Sequence, residues 1–488
     1  MDQYASALLA FPPETDLNDN ALYDQAARSH LNKLSKLLKE RSNELVTYGP
    51  QLLELLDPSV NSLSYLAVLY TLVIPGLASS ASREFLLEKV TVFLMTFDGR
   101  QCRYAGSNLL EIMGAVGSGQ LLPPSVAVGA LASAVLNIDP TGTMLTSSYL
   151  MLAKLAYHTD NIDPALQVID KNIVFYPNMN NHGDPDCLCD LSLSPPSYIT
   201  RDNGLTATMK PAGVMEYDLL CGLMFCSRRD WAKAFAAFER VVTFPTREGG
   251  ASKLMAEAYK KWVLVSLLLK GKQSELPSYT GGVANKLYGV VGKAYTNLAS
   301  LFVTEDVQAL RSEAEKNGEI WLEDCNMGLV QEVLAAYQKW RVLGLQDVYT
   351  KITISEIRKQ TTSAETGEKL GKDEDVRMLI QNMIIGGMLN GVIEKNDDGT
   401  DFLTFLSPTT QLSEQDFAKE LARTAMRLKQ LQPIFKATNE RLGTNKDYVK
   451  HLIKESKRTD KGDGQDPTLG FDSQVDDEDL MGGIITTS

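Results

Sequence analysis

His182, Cys187 and Cys189 fall within Asn181-His-Gly-Asp-Pro-Asp-Cys-Leu-Cys-Asp190, the tightest group of metal-ligating residue types in the chain. A structural zinc ion takes four such ligands in a tetrahedron, usually as spaced pairs. One CxC pair and one His have no second pair nearby, so the run reads as a loop, and no metal or other cofactor is expected. A hydrolytic zinc centre needs a set such as His-x-His with a downstream Asp and a general-base Glu. The four histidines are His30, His158, His182 and His451, and no two lie within ten residues of each other. Neither a Gly-x-Ser-x-Gly elbow nor a P-loop is present. Cys102, Cys187, Cys189, Cys221, Cys226 and Cys325 are scattered and read as reduced thiols. No catalytic residue is assigned, and the chain is not expected to be an enzyme.

The elements around these residues are almost all helical. Apolar positions recur at helical spacing from Leu22 to Leu56. Leu63 to Ile74 is apolar on most faces and reads as a buried helix ended by Pro75-Gly76. Further helices are expected over Arg83 to Met95, Cys102 to Val116, Ser125 to Leu136 and Ser147 to Tyr157. Medium helices in pairs with short breaks indicate an α-solenoid. Its clearest unit is Met215 to Cys226, a turn with Asp230 as N-cap, and Trp231 to Val242, which resembles a tetratricopeptide-type pair. Lys253 to Leu269 follows, closed by Gly271. Between the arrays, 176–212 is rich in Pro, Asn, Asp and Gly and is expected to be a long loop insertion.

After Leu343 the pattern changes. Ile352 to Ile357 opens a short helix with Thr353 or Ser355 as cap. Asp373-Glu-Asp375 begins another, with Val376, Leu379, Ile380, Met383 and Ile384 on one face. Val392 to Lys395 and Phe402 to Leu406 read as strands of a hairpin. Helices followed by a hairpin make a winged helix. Three carboxylates in the first turn of its candidate reading helix would repel phosphates, so nucleic-acid binding is disfavoured. The net charge of −13, from 61 acidic and 48 basic residues, points the same way.

From Ser413 to Leu442 a further helix carries an apolar stripe of Phe417, Leu421, Leu428, Leu431 and Phe435. Ser413 and Asp416 fit a cap, and Pro433 is expected to bend or interrupt the helix. Lys446 to Arg458 is a basic run, and after Thr459 an acidic tail containing Asp476-Asp-Glu-Asp479 is expected to be disordered in isolation. The Met1 end has no basic segment before an apolar one, and no apolar run is long enough for a bilayer. A soluble, intracellular protein without membrane contact is expected.

The fold class is thus mainly α: an α-solenoid of TPR-like repeats, a winged helix and a long C-terminal helix. The expected division is 1–175 N-terminal repeats, 176–212 insertion, 213–340 TPR-like repeats, 341–408 winged helix, 409–456 C-terminal helix and 457–488 acidic tail. A helical array running into a winged helix resembles the PCI family of proteasome-lid, signalosome and translation-initiation scaffolds. Within it, Leu254-Met-Ala-Glu-Ala-Tyr-Lys-Lys-Trp-Val-Leu-Val-Ser-Leu-Leu-Leu-Lys-Gly-Lys272 is similar to the third-subunit family of the COP-nine (constitutive photomorphogenesis) signalosome. So are Leu276-Pro-Ser-Tyr-Thr280, Lys293-Ala-Tyr295 and Asn326-Met-Gly-Leu-Val330. The likeness covers most of the chain and is strongest between Tyr217 and Leu345, whereas the 176–212 insertion is longer than the family pattern.

The resemblance implies a non-catalytic scaffold in the complex that removes the ubiquitin-like Nedd modifier from cullins in cullin–RING ligases. Its partners would be other signalosome subunits and, through the complex, those ligases, in the nucleus and cytoplasm. In the PCI family, winged-helix hairpins add edge to edge and C-terminal helices join a shared bundle. The matching candidates here are Val392, Ile393, Phe402, Leu403 and Phe405 for the edge, and Phe417, Leu421, Leu428, Leu431 and Phe435 for the bundle. A self-contained hairpin and a helix packed on its own winged helix are the alternatives. A proteasome-lid subunit of the same architecture is the second reading, and a winged-helix nucleic-acid binder the third.

Overall fold

Local capping chemistry sets the helix ends in the centre of the chain. Asp230 accepts from the Lys233 amide at 3.2 Å and opens the helix Trp231–Val242. Ser252 accepts from Met255 at 3.2 Å to open Lys253–Lys270, and Gly271 ends it at φ +70°, a conformation open to glycine because it lacks Cβ. A computed structural model describes residues 2–13, 19–40, 42–74, 82–119, 121–176, 186–245, 251–395, 399–406 and 414–459.

Helices dominate these residues, as the periodicity predicts. Ser62–Val73 is buried on nearly every face, matching its unbroken apolar composition. The pair Pro211–Ser227 and Trp231–Val242 packs closely at Gly222, where a Cβ would stand 2.4 Å from the Phe238 ring. One continuous apolar core runs from Leu8 and Phe11 to Trp321 and Tyr337. The expected helix over Cys102 to Val116 is corrected: Gly99–Cys102 ends before Gly106–Gly117 begins. At the break, Gly106 would place a Cβ 2.3 Å from the Asn203 carbonyl oxygen, so the chain turns to admit a distant segment.

That segment is 186–210, the described part of the expected insertion. It is irregular apart from the single turn Pro195–Tyr198, yet side chains of the first array bond its backbone at several points. Arg103 donates to the carbonyls of Leu188 at 2.8 Å and Asp190 at 2.7 Å, and Arg100 donates to that of Cys189 at 2.8 Å. The Asp24 carboxylate accepts from the Leu188 amide and from Tyr104. Irregular backbone survives in a buried setting only when its polar groups find such partners. The segment is a strap across the first array.

The winged helix forms a three-stranded antiparallel sheet of β1 (Lys351–Thr353), β2 (Gly391–Lys395) and β3 (Asp401–Phe405) in the order β1-β3-β2. Ile352, expected in a helix, lies instead in β1 opposite Leu403; the helix starts at Ile354, capped by Thr353. Asp373–Ile385 follows as predicted. The helix Met327–Gly344 serves two cores: Val330, Val333 and Tyr337 face the solenoid, and Val342 belongs to the winged-helix core with Ile357, Ile380 and Leu403. The boundary expected at residue 340 therefore runs through a continuous helix, which stiffens the junction.

Residues up to Glu420 form one compact unit and those from Leu421 a second. The C-terminal stretch expected as one helix is two, Glu414–Thr444 and Lys446–Thr459, parted at Asn445. Pro433 does not interrupt the first of these. Proline cannot donate to the carbonyl four residues back, but Lys429 sits on an exposed stretch where water can satisfy it. Ser413 and residues 460–488 lie outside the described residues.

Candidate assembly surface

Period-two alternation decides which strand residues face outward. Ile352, Leu403, Ile393 and Phe405 point to the winged-helix core, where Leu403 is fully buried. Lys351, Thr404, Val392, Glu394 and Phe402 occupy the opposite face by register. There Glu394 accepts from Thr404 at 3.0 Å and from Lys351 at 3.3 Å, two bonds that hold its carboxyl below the usual range. The Lys351 ammonium also lies 5.0 Å from the Phe402 ring centroid.

These contacts correct the expected edge. β3 is bonded on both sides, to β1 and to β2, so Phe402 to Leu406 offers no free strand edge. Leu403, Ile393 and Phe405 serve the domain's own core. What remain open among the described residues are the outer edges of β1 and β2, the latter together with Val392, 45% exposed, and half-buried Phe402. Strand order produces this difference: β1, distant in sequence, takes the side of β3 that a simple hairpin would leave free.

The reading helix Asp373–Ile385 has acidic surroundings. Arg377 stands 3.4 Å from Asp401 and 4.0 Å from Glu374, and Asp373 pairs with Arg358 at 3.1 Å. Its outward residues include Met378 and Ile385, the latter 77% exposed. A surface with its arginine paired and with Met378 and Ile385 exposed beside Asp373 and Glu374 suits protein better than phosphate.

The stripe on Glu414–Thr444 forms a second surface. Phe417, Leu421, Leu428, Leu431 and Phe435 are all exposed, Phe435 by 69%. At 100° per residue they fall within an arc of about 80° and extend over about 27 Å of helix. All five lie on the helix that the periodicity predicts.

Sequence reasoning missed the strap's anchors, Asp24, Arg100 and Arg103. Nothing local marks them, because their partners are backbone carbonyls and amides far along the chain. Of the CxC pair, Cys189 is buried, its thiol directed at the Asn20 carbonyl at 3.1 Å, while His182 lies outside the described residues. Among the described residues no three His, Cys, Asp or Glu side chains are grouped to hold a metal ion, and no helix is long and apolar enough to cross a membrane.

Residues 25–284 match the protein family described as COP9 signalosome complex subunit 3, N-terminal helical repeats. The chain is 39% identical to COP9 signalosome complex subunit 3 of Neurospora crassa, over 99% of both chains. This chain belongs to the COP9 signalosome subunit 3 family. A second member of that family, from Emericella nidulans, is 27% identical over 88% of this chain and 89% of its own length. The stretch that matches the subunit 3 repeats runs from the helix Asn20–Glu40 to Gly282–Val291 and includes the strap. The 186–210 segment is therefore set within the family's matched region. The winged helix lies beyond the matched repeats but within the span aligned to the Neurospora protein.

Proposed function

We propose that this chain is a non-catalytic scaffold subunit of a signalosome, joined to other subunits through its C-terminal helix and the free edge of β2. Membership of the COP9 signalosome subunit 3 family is the observation that carries this reading. The exposed stripe from Phe417 to Phe435 supports it, since an apolar face of this length in water favours association. The rigid helix Met327–Gly344 supplies the mechanics: a load on the winged helix passes directly into the solenoid.

On this reading the assembly acts on cullins in cullin–RING ligases, in the nucleus and cytoplasm, and this chain holds neighbours in place. Strand addition at β2 would satisfy amide and carbonyl groups that face away from β3, with Val392 and Phe402 covered by the incoming chain. Purification of the tagged chain from cells, followed by mass spectrometry, tests the proposal. Signalosome subunits and cullins should be recovered with the intact chain and depleted when it is truncated at Ser407. Recovery of proteasome components instead would move the chain to another PCI scaffold.

A further inference from the structure

The strap and the helix Asn20–Glu40 border a cleft of about 500 Å³, within the size range of ligand sites. Arg28 and Asn32, one helical turn apart, line it from the helix, and Thr200 and Asp202 from the strap. Arg103, buried, lies on its wall. The polar atoms here are mostly donors without acceptors. Arg28 gives its Nε–H to Asp24 at 2.5 Å, and its two terminal nitrogens meet no acceptor among the described residues. The Asn32 side chain makes no bond among them either. Thr200 Oγ1 accepts from the Asn203 amide at 3.3 Å, which leaves its own proton to give. Arg103 carries the strongest demand. Its Nε–H is buried with no hydrogen-bond partner, and no carboxylate among the described residues is paired with its charge. Burial, against weaker pulls from Tyr198 and Asp98, holds its pKa below the usual range. A buried charge without a counter-charge is costly until one arrives.

We propose that this cleft is a binding site for one carboxylate, presented by an acidic side chain of a partner polypeptide. The terminal nitrogens of Arg28 form a fork for its two oxygens, Asn32 and Thr200 donate beside them, and Arg103 gains its missing counter-charge. Leu31 and Leu188 also line the cleft, which suits the methylene stem of Glu. Asp202 is the one carboxylate among the lining residues, and it repels a doubly charged phosphate more than a carboxylate. Arg28, Asn32 and Asp202 are exposed, so the mouth is open. An open mouth suits a protruding side chain better than a small molecule, of which a closed site covers about 70–90%. The site draws only on the first array and the strap, so it stands or falls apart from the scaffold reading.

Saturation-transfer NMR on the full chain, with acetyl-glutamyl amide as the probe at about millimolar concentration, tests it. The probe should receive saturation, and its uncharged isostere acetyl-glutaminyl amide should receive little. Two exposed positions that bond nothing among the described residues should move the dissociation constant in opposite senses without lowering the melting temperature. Asn32→Asp should weaken binding about fivefold and Asp202→Asn tighten it about threefold, each by one charge at the mouth. Equal transfer to both probes overturns the proposal, as does an affinity that neither variant moves. Tighter binding of inorganic phosphate or succinate than of acetyl-glutamyl amide overturns it too, by assigning the cleft to a small free anion.

Discussion

The Arg103 guanidinium lies 3.6 Å from the centroid of the Tyr198 ring while donating to the carbonyls of Leu188 and Asp190. One side chain thus grips the strap at two places, and it is buried, with 6% exposed. Arg103→Met keeps much of the stem but leaves two carbonyls unpaired and the ring uncovered. A loss of about 3 kcal/mol is expected from the charge-assisted bonds and the cation–π contact. Denaturant unfolding measures it, and limited proteolysis should show earliest cleavage within 186–210.

Tyr295 donates to Asp324 at 2.7 Å and accepts from the buried Asn326 amide at 2.7 Å. Tyr295→Phe removes the hydroxyl, strands the Asn326 side-chain amide and leaves Asp324 to its Lys260 partner, a cost of about 2 kcal/mol. Tyr279→Phe, at a position 70% exposed, should stay within about 0.5 kcal/mol of the parent. Thermal melts of the two variants side by side give the contrast.

Glycine substitutions in two helices should differ in sign. At Gly222 an added methyl group meets the Phe238 ring, so overpacking of about 1–3 kcal/mol outweighs the helix-propensity gain of about 1 kcal/mol. Gly289, in Gly282–Val291, has nothing within 4 Å of its would-be Cβ. Gly289→Ala should therefore raise the melting temperature and Gly222→Ala lower it.

His30 is stacked on Phe11 and hydrogen-bonded to Ser64 at 2.8 Å. Ser64 donates its only proton to the Leu8 carbonyl, so the His30 Nε2–H must donate to Ser64. Burial first, and then the nearby Lys33, push the imidazole down from 6.5 to about 4. Since the folded value lies below the unfolded one, the neutral ring's contribution is complete above pH 6.5 and is lost as pH falls towards 4. Lowering pH from 7.5 to 5 should remove about 2 kcal/mol. His30→Gln, with no titrating ring, should flatten stability across that interval.

Leu428→Asp combined with Phe435→Asp alters two exposed positions of the stripe. The melting temperature of the isolated chain should barely move, because exposed sites contribute within about 0.5 kcal/mol. Recovery of partner subunits from cells should fall towards the level of the Ser407 truncation. Unchanged recovery would remove the stripe from the assembly surface.

How far the sequence reaches is clearest at Asp230 and Gly271. Each ends a helix through bonds to residues within four positions, so residue type alone located the boundary. The stripe from Phe417 to Phe435 was legible for the same reason, since helical geometry fixes its face whatever lies nearby. The two-sided pairing of Leu403 was not. Its outer neighbour Ile352 comes about fifty residues earlier, and no local pattern reports that β1 fills the side of β3 left open by the hairpin. The strap was visible as composition but not as structure: its order depends on Asp24, Arg100 and Arg103 meeting carbonyls and amides brought near by the fold. By itself, then, the sequence determined most of the helices, the two hairpin strands and which faces are apolar, because those follow from neighbours along the chain. Tertiary structure decided which apolar face is core and which is surface, because burial depends on what arrives from far away.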